Sequence, residues 1–310
     1  MGTAAASHRT LTRRVCRQLG IRRRVGRAKQ QIARVVLRAA ELMSSRLAAA
    51  LLFQIARRPP RRRLDAATQA TLAKAMRFPV RLHDRDVQVY SWGAGPIALC
   101  VHGWGGRAAQ MSPFVTPLLL AGFRVIAFDA PAHGASAGNV SDPIAFAQAI
   151  AAVVRAVGPA HAVIGHSLGA AAALVATRDG TLHPERLVLL CGYAHFDLVI
   201  HKMKSVFAVS RPVLERAFHR WFGQYNHHVD RDRLSPLNAL RQLECPTFIL
   251  HDHDDEVVPV SHAEQLFAAA KSGALLRTRG LGHHSILNDE VARWCVEFLS
   301  RPAIARTGHA

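Results

Sequence analysis

From Phe78 onward the chain repeats one pattern, and that pattern narrows the possible folds more than any other feature. Residues 80–82 and 87–92 alternate apolar and polar side chains like the two arms of a hairpin. Five short apolar runs follow, at residues 97–101, 125–128, 162–164, 187–190 and 247–250. Helical spacing appears at 108–121, 143–157, 168–177, 262–270 and 289–299. A run of three to five consecutive apolar residues suits a strand buried on both faces, as in a parallel sheet. Strand and helix in alternation therefore predict an α/β domain with a mainly parallel sheet under helices on both faces. The rhythm breaks once, between residues 194 and 243. That segment is helical in pattern, holds Phe196, Phe207, Phe218, Trp221, Phe222 and Tyr225, and reads as an insertion lying over the sheet.

Charge marks off a second region. The 310-residue chain has a formal charge of +19, which on its own would suggest a nucleic-acid partner. Residues 1–63, however, hold 17 Lys plus Arg against one acid, Glu41, while the rest holds 23 against 20. The basicity belongs to the first 63 residues, and the body is nearly neutral. Residues 32–43 have helical apolar spacing, and the run at 47–56 is too short to span a bilayer. The long charged stretch does not resemble a signal peptide, and Arg13-Arg14 has no apolar segment directly after it, so secretion is not expected. Met43 is a second candidate start. The five cysteines, Cys16, Cys100, Cys191, Cys245 and Cys295, never occur as C-x-x-C and fit neither a disulfide framework nor a zinc ribbon. A cytoplasmic, reducing location is expected. The expected division is a basic, partly helical extension (1–77), a main domain (78–300) carrying the insertion (194–243), and a short tail (301–310).

Four loops concentrate reactive side chains, three of them directly after apolar runs. Gly165-His166-Ser167-Leu168-Gly169 lies between the run at 162–164 and an Ala-rich helical stretch. A serine on such a strand-to-helix turn has glycines to relieve crowding and a helix N-terminus to favour a developing oxyanion. Val101-His102-Gly103-Trp104-Gly105-Gly106 follows another run, which makes the Trp104 N–H, with that of Leu168, a candidate pair of oxyanion donors. Downstream, His251-Asp252-His253-Asp254-Asp255-Glu256 supplies carboxylates, and Gly280-Leu281-Gly282-His283-His284 supplies imidazoles. The order Ser, Asp, His suits nucleophilic catalysis: imidazole removes the serine proton, and a carboxylate orients the imidazole.

With these motifs in this order, residues 78–299 resemble the α/β-hydrolase fold family. The resemblance implies an eight-stranded, mainly parallel sheet, a nucleophile elbow at Ser167, an oxyanion hole at Trp104 and Leu168, and a helical cap inserted after the sixth strand. It implies Asp255 as the triad acid, four residues before Pro259, with Asp254 as the alternative, and it selects His283 over His284. Asp129-Ala130-Pro131-Ala132-His133-Gly134 departs from the family's D-x-x-G-x-G turn at Ala132, which leaves open a wider loop with His133 facing a pocket; a structural role for Asp129 and His133 is the plainer expectation. A serine at the elbow disfavours the dehalogenase and epoxide hydrolase branches, which need a carboxylate nucleophile.

The expected activity is that of a serine hydrolase acting on a small carboxylic ester with an apolar acyl or aryl group; thioester and amide substrates remain open, and no cofactor or metal is expected. The alternative is a catalytically silent binding module on the same fold. His251-x-His253-x-Asp255, with His227-His228, offers a minor metal reading. Residues 1–63 offer a peripheral contact with an anionic membrane surface, ahead of nucleic acid, with a solvated, partly helical extension as the plain alternative. Oligomeric state is left open.

Overall fold

The computed structural model describes residues 28–60, 66–225 and 232–301. Successive side chains of a strand point to opposite faces, so a strand buried along its whole length must be covered on both sides. The hairpin strands are β1 (Met76–Leu82) and β2 (Arg85–Trp92), and only the second is largely buried. The central strands β3 (Ile97–Val101), β4 (Arg124–Phe128), β5 (Ala160–His166), β6 (Arg186–Leu190) and β7 (Thr247–Asp252) are buried almost throughout. Among the described residues the sheet has eight strands in the order β1-β2-β4-β3-β5-β6-β7-β8. The pairs β1·β2 and β2·β4 are antiparallel, and all later neighbours are parallel.

The closing strand β8 (Gly273–Thr278) has no fully buried residue, as an edge strand can, although Leu276 packs against the apolar core. A side chain at Gly273 would stand 2.1 Å from the Thr247 carbonyl oxygen, so glycine is what lets β8 approach β7.

The period of two sorts the core. Ala98, Cys100, Val125, Ala127, Ile164, Val188 and Leu250 join one apolar cluster with Phe114 and Leu118 of α4 (Ser112–Leu120) and Val291, Cys295 and Phe298 of α12 (Asp289–Leu299). The alternate residues Leu99, Val101, Ile126, Val163, Leu187 and Leu189 are equally buried on the other face. Pro143–Val157 (α5) packs on Leu168–Arg178 (α6), and α6 on Pro236–Arg241 (α9), which meets Ser261–Ala269 (α10). Asp142 starts α5 by accepting the Ala145 N–H at 2.8 Å, and Asn288 does the same for α12 through Val291 at 2.9 Å.

The chain divides into two compact units. The sheet, its helices and α9 belong to one, along with the short helices α3 (Ala66–Ala73) and α11 (Gly282–Ser285). The other joins residues 28–56 to 199–225, two segments far apart in sequence. It contains α1, helical over residues 28–43, α2 (Ser45–Ala56), most of α7 (Asp197–Phe207) and α8 (Arg211–Gly223). Ser44 separates α1 from α2 and accepts the Arg46 N–H at 3.2 Å. Helix α2 packs against α8. From α1, Arg34 donates to the carbonyls of Ser205 (2.9 Å) and Val206 (2.9 Å), and Gln30 to Val206 (3.0 Å). These bonds satisfy last-turn carbonyls of α7 that have no partner inside the helix. Ala208 follows in the left-handed region at φ 53°, which ends α7. Among the described residues no helix is long and apolar enough to cross a membrane.

Candidate active site

Ser167 sits between β5 and α6 with φ 54° and ψ −117°, a conformation that a non-glycine residue adopts only under strain. The flanking glycines make the turn possible. A Cβ at Gly165 would fall 2.5 Å from Ala170 Cα, and one at Gly169 would fall 2.4 Å from the Val101 carbonyl oxygen. The strained turn lifts Ser167 Oγ to within 3.0 Å of His283 Nε2. His283 Nδ1 lies 2.7 Å from Asp255 Oδ2. A carboxylate only accepts hydrogen bonds, so Nδ1 carries the imidazole proton and Nε2 is left to accept the serine hydroxyl.

Three acids share the loop after β7, and their contacts separate them. Asp252 accepts the Thr278 hydroxyl (2.7 Å) and the Leu281 N–H (3.1 Å), and Asp254 accepts the Gly280 N–H (2.8 Å). Both therefore hold the loop that carries His283. Asp255 is the acid that faces His283, and its other oxygen accepts the N–H groups of Val257 (2.7 Å) and Val258 (2.8 Å). Burial alone would raise the Asp255 pKa, but bonds from His251, His283 and the Val258 N–H outweigh it and hold the carboxyl well below the usual range. It is an anion at neutral pH.

Two buried histidines outside the expected triad support this arrangement. His251 Nε2 lies 2.8 Å from the Val258 carbonyl and 3.3 Å from Asp255 Oδ2; both accept, so one N–H braces the acid and its loop. His166 Nε2 donates to the His283 carbonyl at 2.9 Å and so ties the elbow to the histidine loop. Burial drives the His166 pKa down to about 3, which keeps the ring neutral. His166 and His283 are 117 residues apart, so spacing could not reveal their bond, whereas His251 lies four residues before Asp255 and seven before Val258.

The β3 and β4 loops form the other wall. Trp104 is 37% exposed and stands edge-on to His133, with ring centroids 5.2 Å apart. Among the described residues neither the Trp104 N–H nor the Leu168 N–H has a hydrogen-bond acceptor. His133 does not face open space: it is buried, accepts the Gly105 N–H on Nε2 (3.0 Å) and donates from Nδ1 to the Pro131 carbonyl (2.9 Å). His102 accepts the Ala130 N–H (3.0 Å) and donates to Gly103 (2.7 Å). Both imidazoles are neutral, with desolvation lowering their pKa values to about 4 for His102 and about 3 for His133. Asp129 accepts from Ala108 (2.7 Å), Ala135 (2.8 Å) and the Tyr90 hydroxyl (3.2 Å). A Cβ on Gly134 would meet Asp129 at 2.1 Å, while Ala132 takes the positive φ of 64° that glycine would have relieved. The departure at Ala132 is thus absorbed by backbone strain.

The metal pattern does not assemble as the sequence spacing suggested. His251 and Asp255 cluster with Cys191 and not with His253, and His227 and His228 lie outside the described residues. Burial, reinforced by the Asp255 charge, raises the Cys191 pKa and keeps that thiol protonated.

Known proteins resemble this chain in sequence and in fold. A pimeloyl-[acyl-carrier protein] methyl ester esterase from Methylococcus capsulatus is 41% identical over 106 residues, 34% of this chain and 40% of that protein. The chain thus spans well under half the length of that curated relative. A non-heme haloperoxidase from Rhodococcus erythropolis is 26% identical over 254 residues, 67% of this chain and 93% of that one. A Pyrococcus furiosus esterase superposes with a TM-score of 0.58 at 18% identity, over 78% of this chain and 94% of that structure, and shares the fold. Residues 98–297 match the alpha/beta hydrolase family, and the chain, with its eight-stranded sheet and strained serine turn, belongs to that family.

Proposed function

We propose that the protein is a serine hydrolase that cleaves a small carboxylic ester through an acyl-enzyme. The observation that carries this reading is the continuous hydrogen-bonded line from Ser167 Oγ to His283 Nε2 (3.0 Å) and from His283 Nδ1 to Asp255 Oδ2 (2.7 Å). Ser167 Oγ attacks the carbonyl carbon as His283 Nε2 takes its proton. The ionised Asp255 fixes the imidazole tautomer and stabilises the imidazolium without itself accepting the proton. The tetrahedral oxyanion is received by the Trp104 and Leu168 N–H groups, each such donor contributing about 3 kcal/mol. Collapse breaks the bond to the leaving oxygen, which takes the proton from His283 Nε2. Water, deprotonated by the same nitrogen, then attacks the acyl-enzyme, and the acid and Ser167 are released.

An ester is favoured over other acyl compounds because the Methylococcus relative is named as a methyl ester esterase and the Pyrococcus neighbour as an esterase. The exposed indole of Trp104, beside the β3 turn, suits an apolar acyl or aryl group. A chain-length series of p-nitrophenyl esters tests the reading, with Ser167→Ala as control. Turnover of short to medium esters by wild type alone is expected. A folded wild type that hydrolyses no ester, thioester or amide would instead identify a silent binding module.

A further inference from the structure

Helix α1 carries two apolar faces, whereas a surface helix normally carries one. The first is used inside its own unit: Leu37 and Ala40 are buried, and Arg34 on that side is bonded to α7. The second lies on the opposite side. At 3.6 residues per turn, Ile32, Val35, Val36, Ala39, Leu42 and Met43 fall within a stripe about 120° wide. Its five large side chains are 46% to 79% exposed. Leu47, in the first turn of α2, is 41% exposed as well. Single exposed aliphatics are ordinary, but a contiguous stripe of this kind marks an interaction surface.

The stripe belongs to a strongly cationic unit. That unit contains 17 Lys plus Arg against two acids, Glu41 and Glu215. Each acid already faces an arginine, Arg38 at 3.4 Å and Arg211 at 2.7 Å. Lys29, Arg38 and Arg46 are exposed along α1 and the start of α2, and the 27 residues before α1 hold eight arginines and no acid.

We propose that the outward stripe of α1 docks on an anionic lipid bilayer. Ile32, Val35, Val36, Leu42 and Met43 enter the boundary between headgroups and acyl chains, and Lys29, Arg38 and Arg46 meet the lipid phosphates. A nucleic-acid backbone would match the charge but leave the aliphatic side chains in water. A neutral protein groove would cover the side chains but leave the cations unmatched. An anionic bilayer satisfies both. Sixteen residues of helix, about 24 Å long, suit a segment lying in the interface plane.

The test is co-sedimentation of the full-length protein with two kinds of vesicle, phosphatidylcholine alone and phosphatidylcholine mixed with phosphatidylglycerol. Wild type is expected to bind the mixed vesicles, less so at high salt, and to leave pure phosphatidylcholine vesicles largely unbound. Val35→Glu/Leu42→Glu is expected to lower the affinity about tenfold or more, and Lys29→Glu/Arg46→Glu to do the same through charge. All four positions are exposed, and circular dichroism melting checks that each variant folds. Wild type that ignores both vesicles, or variants that bind as wild type does, would overturn the proposal. Light scattering supplies the remaining arm: a wild-type dimer that Val35→Glu/Leu42→Glu makes monomeric, without vesicle binding, would assign the stripe to a second copy of the chain and refute the bilayer.

Discussion

At the C-terminal ends of its strands the sheet unit buries His102, His133, His166, His251 and His283 beside Asp129, Asp252 and Asp255, and binds nearly all their polar atoms to named partners. Helix α1 does the reverse, leaving five aliphatic side chains in water among cations. A buried network is directional, so each group has one permitted place and removing one group strands the others. An apolar stripe is not directional, and its effect is a sum of small burials. The first arrangement suits chemistry at one atom, and the second suits attachment to a fluid surface. Substitutions should therefore act steeply in one unit and gently in the other.

The largest effect is expected at Ser167. Its replacement by Ala should lower ester turnover by about 10⁶-fold, measured as initial rates on a p-nitrophenyl ester. Asp255→Asn comes next, at about 10⁴-fold, because the amide would favour the wrong imidazole tautomer for Ser167. Gly169→Ala tests the strained turn. The new Cβ would meet the Val101 carbonyl oxygen at 2.4 Å, and denaturant titration should show a loss of about 3 kcal/mol.

A pH effect follows in size. His102, His133 and His166 are held neutral by burial, with pKa values lowered to about 4, about 3 and about 3. Between about pH 6.5 and pH 4 the unfolded chain binds protons that the folded chain refuses, so stability falls as the pH falls. Each such histidine contributes a slope of up to about 1.4 kcal/mol per pH unit in that window. His133→Gln should flatten the dependence of melting temperature on pH across the window; an unchanged slope would mean that His133 protonates in place. The smallest effect is expected from Val35→Glu/Leu42→Glu, which should leave turnover of a soluble ester within about twofold and stability within about 0.5 kcal/mol. A large loss of turnover there would break the contrast between the two units.

What could be seen in the sequence was whatever is written locally. The central strands read as apolar runs because both faces are buried, and α5 and α12 have the lengths their patterns predict. The serine turn was legible because Gly165 and Gly169 are required by contacts a few residues away or one strand over. Strand β8 was not, since an edge strand that borrows its place from β7 needs no strong pattern of its own. Nor could chain order reveal that Arg34 would bond to carbonyls about 170 residues later, or that His166 would hold the backbone of His283. Such pairings arise from tertiary contact, and residue spacing carries no record of them. Choosing among Asp252, Asp254 and Asp255 likewise needed the loop, because three acids in four positions differ only in which N–H groups surround them.

On the proposed function, Ser167 is a nucleophile activated by His283 and Asp255. The decisive experiment is labelling with a fluorophosphonate probe, followed by mass spectrometry of the modified peptide. One adduct is expected on Ser167, none with Ser167→Ala, and strongly slowed labelling with His283→Ala and Asp255→Asn. An adduct on another residue, or a folded wild type that takes no label, would contradict it.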